Sequence, residues 1–502
     1  MDSNQLQATT WLLIEIMIIY GLCLATYRLY FHPLSKIPGP MLFALSGLPL
    51  AIDNQLRGLF NRRVLKFHQK YGDIVRTGPN HLSIDGAIGW SEVFGHSRGS
   101  RSEFAHWNDF YQLGDSSDLS IFAADRESHR RQRRLMAHAF SDAAIKEQEI
   151  LVKQHIDLLF IELRKRAASQ EPVDIVKWYN YTTFDIVGDL VFAEPFNCLE
   201  NTEPRAWVDM IFAGVRAGSR KQMLLNFPYL RFILQLMTPG NDEQRRLESK
   251  TMAKEKAERR VTLGPAPGGR KDIMTYILRH NDERAMSHAE VLGNTNALIV
   301  AGSETTATAL SGLTYYITTN TQALKRLQDE IRTAFRSEDE ITMESTAHLT
   351  YLHACIEEAL RVYPPAAETP PRISQGEHVS GYYIPKGTFI TIHQWANHHN
   401  PRNFTQPDAF VPERWLSSGN PMYDPQFSAD RRTTFQPFSF GPRNCIGKNL
   451  AYAELRLVAA RMFWNFEFEL QPGCENWPDK QRVFTVWEKT PLMVRLKSVD
   501  RH

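Results

Sequence analysis

Phe438-Ser439-Phe440-Gly441-Pro442-Arg443-Asn444-Cys445-Ile446-Gly447 sets one cysteine in a turn between two glycines, with an arginine two residues before it. An apolar run follows, Leu450-Ala451-Tyr452-Ala453-Glu454-Leu455-Arg456-Leu457-Val458-Ala459-Ala460, which reads as a helix. Cys445 therefore stands just before or at a helix N-terminus, where backbone N–H groups point at its sulfur and the helix dipole favours negative charge. Arg443 adds a cation nearby. Such a setting is expected to lower the thiol pKa and favour the thiolate, the form that binds metal. Gly441 and Gly447 allow tight turns and close backbone approach. The alternative reading is a buried, inert cysteine beside a turn.

A thiolate alone does not name its metal. The spacing Phe-x-x-Gly-x-Arg-x-Cys-x-Gly, filled by Phe438, Gly441, Arg443, Cys445 and Gly447, resembles the cysteine loop of the cytochrome P-450 family. The resemblance implies that Cys445 is the proximal axial ligand of haem b, iron protoporphyrin IX. It implies a mainly α fold with small β-sheets. It also implies a monooxygenase that inserts one atom of O2 into a C–H bond of a lipophilic small molecule. Electrons would come from NADPH through a flavoprotein reductase, with cytochrome b5 as a further donor.

The 502 residues are 43% hydrophobic and 23% charged, ordinary for a globular chain. A net charge of +2 makes no case for nucleic acid. The five cysteines are odd in number and unclustered, so no disulfide framework is expected and a reducing compartment fits. Trp11 to Tyr30 is almost wholly apolar, interrupted mainly by Glu15, and approaches the ~20 residues that cross a bilayer core. Arg28, His32 and Lys36 follow it. The positive-inside rule puts residues 1–10 in the lumen, 11–30 in the membrane and the remainder in the cytosol. A cleaved signal peptide would want a basic n-region, missing here, although Cys23-Leu24-Ala25 has the small-residue character of a cleavage site. A buried core helix is the other reading. The proline-rich stretch 31–40 reads as a stiff linker. It resembles the hinge that orients microsomal members of the family. That implies an endoplasmic reticulum membrane and a cytosolic catalytic domain over residues 41–502.

Further motifs follow in the family's order. Asp125 to Phe140 is a basic helix, and charge runs usually face water. The family pattern Trp-x-x-x-Arg, whose members bind haem propionates, finds Arg133 in the arginine place and His129 in the tryptophan place. Arg130, Arg131 and Arg134 would then face outward, toward an acidic reductase surface. Arg372, like Arg443, matches a propionate-binding arginine. By the same resemblance residues 95–118, rich in aromatics including Tyr111, cap the substrate cavity. Residues 205–240, ending in Met223-Leu224-Leu225-Asn226-Phe227-Pro228-Tyr229-Leu230, form a membrane-dipping lid; ordinary helix packing is the alternative. Ser287-His288-Ala289-Glu290 is a capping box opening a long apolar helix that runs to about Thr319. Inside it, Ala301-Gly302-Ser303-Glu304-Thr305-Thr306 is a poor choice for a buried helix, and local misfits of this kind mark function. By resemblance Ala301 and Gly302 would lie over the haem face, with Gly302 leaving room for dioxygen. Thr305 would hydrogen-bond the dioxygen and Glu304 would relay protons. Threonine back-bonding to helix carbonyls is the alternative.

Glu358 and Arg361 share one helix face. With Arg414 of Pro412-Glu413-Arg414-Trp415 they are expected to form a buried three-member network. Val379 to Ile384 and Thr388 to Ile392 read as strands, and Phe484 to Trp487 as a late turn or strand that the family uses as its last substrate contact. The sequons at Asn180 and Asn403 should stay unmodified in the cytosol. The opening Tyr-Arg-Leu-Tyr-Phe-His-Pro-Leu and the His-x-x-x-Arg variant resemble fungal enzymes of secondary metabolism, which makes a terpenoid or polyketide intermediate the expected substrate. Benzoate-type or xenobiotic hydroxylation stays open. So do a haem-thiolate isomerase or dehydratase, against which the intact Glu304-Thr305 pair argues, and a non-enzymatic haem sensor. NADPH-dependent O2 consumption would discriminate.

Overall fold

A computed structural model describes residues 3–96, 103–107, 110, 119–201, 205–230, 241–264, 267–279 and 285–499. Tyr111, most of the 95–118 cap and the end of the 205–240 segment lie outside the described residues. Helix α1 (Ser3–Thr26) continues through a wider turn to Phe31. Gln5–Phe31 has a mean hydropathy of 1.9 and none of its most apolar stretch is covered by protein. A core helix apolar on every side would be buried; this one is not, so the core-helix reading falls. Its length and composition suit a membrane span.

The stretch after it is fixed to the body. Leu34 and Ile37 are buried in the core beneath the main sheet, and the Arg76 N–H donates to Pro38 O at 2.8 Å. Long helices then alternate with small sheets: α2 (Phe60–Tyr71), α3 (Arg126–Ala137), α4 (Asp142–Ser169), α5 (Ile175–Phe192), α6 (Arg205–Asn226), α7 (Asn241–Thr262), α8 (His288–Thr318), α9 (Thr321–Ala334), α10 (Thr350–Val362) and α11 (Lys448–Asn465). Their starts follow local chemistry. Asp125 caps α3 by accepting from Ser128 N at 2.8 Å, and Asn320 caps α9 by accepting from Ala323 N at 3.0 Å. At α8 the capping box is complete: Glu290 N donates to Ser287 Oγ, and Ser287 N donates to Glu290 Oε2 at 2.8 Å. Apolar on most faces, α8 runs through the middle of the core between α5, α10 and α11.

The main sheet has the order β1-β2-β8-β5-β3, built from β1 (Ile74–Gly78), β2 (His81–Ile84), β8 (Phe389–Thr391), β5 (Arg372–Ile373) and β3 (Ala105–His106). β2 pairs with β8 in parallel, His81 opposite Phe389, and the other pairings are antiparallel. A second sheet joins β4 (Val173–Asp174), β12 (Met493–Ser498) and β9 (Phe466–Leu470). Val379 to Ile384 is not one strand. Ser380 and Gly381 take positive φ angles of 47° and 85°, and this turn splits the run into β6 (Glu377–Val379) and β7 (Tyr382–Ile384). Thr485, at φ 72°, likewise turns β10 (Arg482–Phe484) into β11 (Val486–Glu488). The sequons face inward: Asn180 and Asn403 are buried, and Asn403 Nδ2 donates to Asp85 Oδ2 at 2.8 Å. Burial therefore closes both to glycosylation, whichever compartment holds the body.

Candidate active site

The cysteine loop is drawn tight by its own backbone. Cys445 N–H donates to Phe438 O at 2.8 Å, and a single 3₁₀ turn occupies Gly441–Arg443. Gly441 holds φ 76°, and a Cβ there would sit 2.1 Å from Phe94 O, so no other residue fits. Gly447 differs. A Cβ there would meet only Phe140 at 3.7 Å, so protein packing alone does not demand glycine. Gly447 is the N-cap of α11 and offers no capping side chain. Phe438 packs against Tyr452, with ring centroids 4.9 Å apart, and anchors the loop to α11.

Cys445 remains exposed within this frame. The expected fall in its thiol pKa is not what the surroundings produce. The protein enclosing the sulfur raises it, against the Gly447 N–H and the charges of Arg133 and Lys448. Desolvation outweighs the helix N-terminus. The charges of Arg133 and Lys448 pull against that rise, while the Arg443 guanidinium donates to Ala124 O at 3.0 Å. Deprotonation is thus left to a bound cation, as metal binding to thiols generally requires.

On α8 an accessible stripe interrupts a buried helix. Leu298, Ala301, Gly302 and Thr305, spaced by three and four residues, are partly exposed, while Ser303, Glu304, Thr306 and Ala307 are covered. Thr305 Oγ1 donates to Ala301 O at 2.7 Å, the back-bonded geometry, which leaves its oxygen lone pairs for a ligand's proton. Gly302 also has a packing reason to be glycine. A Cβ there would lie 2.9 Å from Val187 Cγ2 on α5, so its tight neighbour is the helix alongside. Glu304 turns away from the stripe. It pairs with Lys489, fully buried, and accepts from Thr308 Oγ1 at 3.1 Å. Its Oε2 has no hydrogen-bond partner among the described residues. Burial pushes the Glu304 carboxyl up and the Lys489 amine down, each against the attraction of the other.

A third group rims the same region. His106 and Arg372 are register partners on β3 and β5. Burial and the charges of Arg443, Arg372 and His129 pull His106 down to about 2, and burial with Arg443, Arg133 and Arg372 pulls His129 down to about 3. Among the described residues, the charges pulling on the two imidazoles are those of arginines and of His129. Arg372 lies over the Phe94 ring at 5.0 Å. Arg133 is turned toward the cysteine loop, donating to Asn444 O at 2.6 Å and to Asn444 Oδ1. Concentrated positive charge calls for an anion. An accessible thiol, a rim of guanidinium and imidazole groups and an apolar helix stripe fit the iron, the two carboxylates and the flat apolar face of a haem.

Behind the site, Glu358 receives Arg361 Nε and NH2, each at 2.8 Å, and Arg414 Nε at 3.0 Å, all fully buried. The network is wider than three members. Trp415 Nε1 donates to Glu358 Oε2 at 2.9 Å, Val411 N to Glu358 Oε1 at 2.8 Å, and Asp430 pairs with Arg414. One outward expectation fails. Arg130 and Arg134 are exposed, but Arg131 folds inward to pair with Glu290 and to donate to Ala285 O at 3.0 Å. It braces the start of α8.

His106, Lys489 and Asp430 escaped the reading of the sequence. Each is a lone residue with no motif around it, and each meets its partners only through chain-distant packing.

Comparison with known proteins agrees with this geometry. The cytochrome P-450 family model matches residues 37–495. The chain is 40% identical to the cytochrome P-450 monooxygenase aclL of Aspergillus oryzae, over 97% of this chain and 99% of that protein. It is 39% identical to the monooxygenase lcsI of Purpureocillium lilacinum, over 97% and 94%, and 36% identical to cpaH of Aspergillus oryzae, over 100% and 96%. With the match spanning nearly the whole body, the chain belongs to the cytochrome P-450 family and is a haem-thiolate monooxygenase.

Proposed function

We propose that this monooxygenase oxidises a C–H bond of a lipophilic secondary-metabolite intermediate, terpenoid or polyketide in kind, at the endoplasmic reticulum membrane. Electrons come from NADPH through a flavoprotein reductase, with cytochrome b5 able to assist. Cys445 Sγ would bind the haem iron. Arg372, Arg443 and His129, joined by His106, would take the propionates, and Arg133 steadies the loop through Asn444. Bound here, the haem supplies the activation of O2 and the oxidising power.

The chain's own groups do the remainder. Ala301 and Thr305 present the accessible stripe of α8. The Thr305 hydroxyl accepts or passes a proton there. The Glu304–Lys489 pair holds a proton at Oε1 or Nζ, one residue along the helix, and burial weakens the charged form of both groups. The single observation that carries the reading is the accessible Cys445 beside a cluster of arginines and histidines whose charges act on one another. Exposed Met41, Leu42, Leu225 and Tyr229 extend the apolar surface begun by α1 and support a lipid-side entrance.

The test is to reconstitute the full-length protein with its reductase, NADPH and isotopically heavy O2. It is then given a metabolite extract from a strain lacking the gene. A product carrying one labelled oxygen, with NADPH-dependent O2 uptake, is the expected result. Conversion without O2 uptake would place the enzyme among the isomerases or dehydratases.

A further inference from the structure

Beside the cationic rim lies a cavity of about 280 Å³ with unusual walls. Trp107 and Thr369 border it, adjacent in the chain to the rim and its approach, and Phe389 forms an apolar wall with His81 stacked on it and Trp107 tilted against it, each at 4.7 Å. Among the described residues no lysine or arginine lines it. One carboxylate does, Glu368, which is 8% exposed.

Glu368 is poorly served by the protein. Its contacts among the described residues are Asn54 Nδ2, at 3.4 Å from Oε1 and 3.5 Å from Oε2, and His393 Nδ1 at 3.2 Å, which also faces Asn61 Oδ1 at 3.1 Å. A buried carboxylate has about four acceptor positions and is ordinarily met by short, charge-assisted hydrogen bonds. Here the contacts are long, and the imidazole is shared. Gln55, next in the chain to Asn54, also lines the cavity and donates to Gln222 Oε1 at 3.3 Å. A cavity-lining carboxylate in want of donors describes a ligand that brings an N–H group. A carboxylate entering the same space would meet a like charge with no cation to offset it.

We propose that this cavity receives the end of the substrate remote from the oxidised carbon, and that Glu368 selects there for an amide or amine N–H and against a carboxylate. The inference rests on the haem-site reading above and narrows it: benzoate-type and free fatty-acid substrates are disfavoured, and nitrogen-bearing intermediates are preferred.

The experiment uses the full-length holoenzyme and N-alkylimidazoles of one chain length ending in a carboxylate, a primary amide or an amine. Imidazole ligation of the iron moves the Soret band, so affinity is read without turnover. The amide and amine are expected to bind about tenfold or more tightly than the carboxylate, a difference of about 1.4 kcal/mol. In Glu368→Gln the amide and carboxylate should come within about threefold of each other. Asn54→Lys, which adds a cation beside an intact Glu368, should also erase the discrimination, and it serves if Glu368→Gln loses haem. Equal or tighter binding of the carboxylate by the unaltered protein overturns the proposal, as does discrimination that survives both substitutions. If unsubstituted imidazole moves the Soret band while the three chains bind alike, the subsite alone falls. If no imidazole moves it, the haem reading falls first.

Discussion

Thr305 and Glu304 are neighbours in sequence but face different worlds, one on an accessible stripe and the other in a buried ion pair. Their substitutions should therefore separate. Thr305→Ala removes a hydroxyl whose hydrogen bond within the protein is only to its own helix, so stability and haem content should hold. Product formed per NADPH consumed should fall by about tenfold or more, within the range for lost proton-transfer groups; unchanged coupling would deny Thr305 its role. Lys489→Met strips Glu304 of its partner. Removing one member of a buried pair costs about 3–5 kcal/mol, and the lower figure is expected because Glu304 can take up a proton. A denaturant midpoint equal to that of the parent would contradict the pair. The sequence made Thr305 and Glu304 conspicuous because threonine and glutamate are locally wrong in an apolar helix. It could not show Lys489, since a single lysine just after a late strand carries no such misfit. The same limit applied to the cysteine, whose neighbours in sequence suggested a lowered pKa while the enclosing mass of protein raises it.

Among the elements, α10 and the loop after it depend on Glu358. Glu358→Ala would leave Arg361 and Arg414 buried beside each other without their carboxylate, a loss of about 3–5 kcal/mol. Purified Glu358→Ala or Arg361→Ala is expected to carry little haem, and normal haem content would remove the network's part in holding the cysteine loop. At the other side of the body, His68 ties α2 to the main sheet. Its Nδ1–H donates to Gly72 O at 2.9 Å, which leaves Nε2 to accept from Ser83 Oγ at 2.7 Å. Burial pulls this imidazole down from 6.5 to about 4. The unfolded chain takes up a proton that the folded one refuses, so the stability this site confers is full above about pH 6.5 and is lost as pH falls toward about 4. The loss should reach about 3 kcal/mol. Urea midpoints measured across that window should fall less steeply for His68→Gln, and an identical slope would count against the assignment. Helix positions were legible because capping residues and apolar periodicity are local. The turn at Ser380-Gly381 was missed although a Ser-Gly pair is a turn signal, because the apolar residues on either side read as one strand.

At the scale of the molecule, an exposed apolar helix leads into a body whose own surface near it stays apolar. Met41, Leu42, Leu225 and Tyr229 belong to segments on the anchor's side of the main sheet. A protein lacking residues 1–31 is therefore expected to remain partly bound to phospholipid vesicles in flotation. Complete release would make α1 the sole attachment. The body's order of motifs was readable from the chain because each occupies a fixed place along it. The cavity at Glu368 was not, because Asn54, Gln222 and Glu368 come from three separate segments, with 314 residues between Asn54 and Glu368.

All of this turns on sulfur ligation at Cys445. The direct measurement is the absorption spectrum of the dithionite-reduced, full-length protein under carbon monoxide, beside that of Cys445→Ser. The account predicts the strongly red-shifted Soret band of a thiolate-ligated haem in the first and its loss in the second. A haem-loaded native protein that shows no such band, or a serine variant that keeps it, would contradict the account.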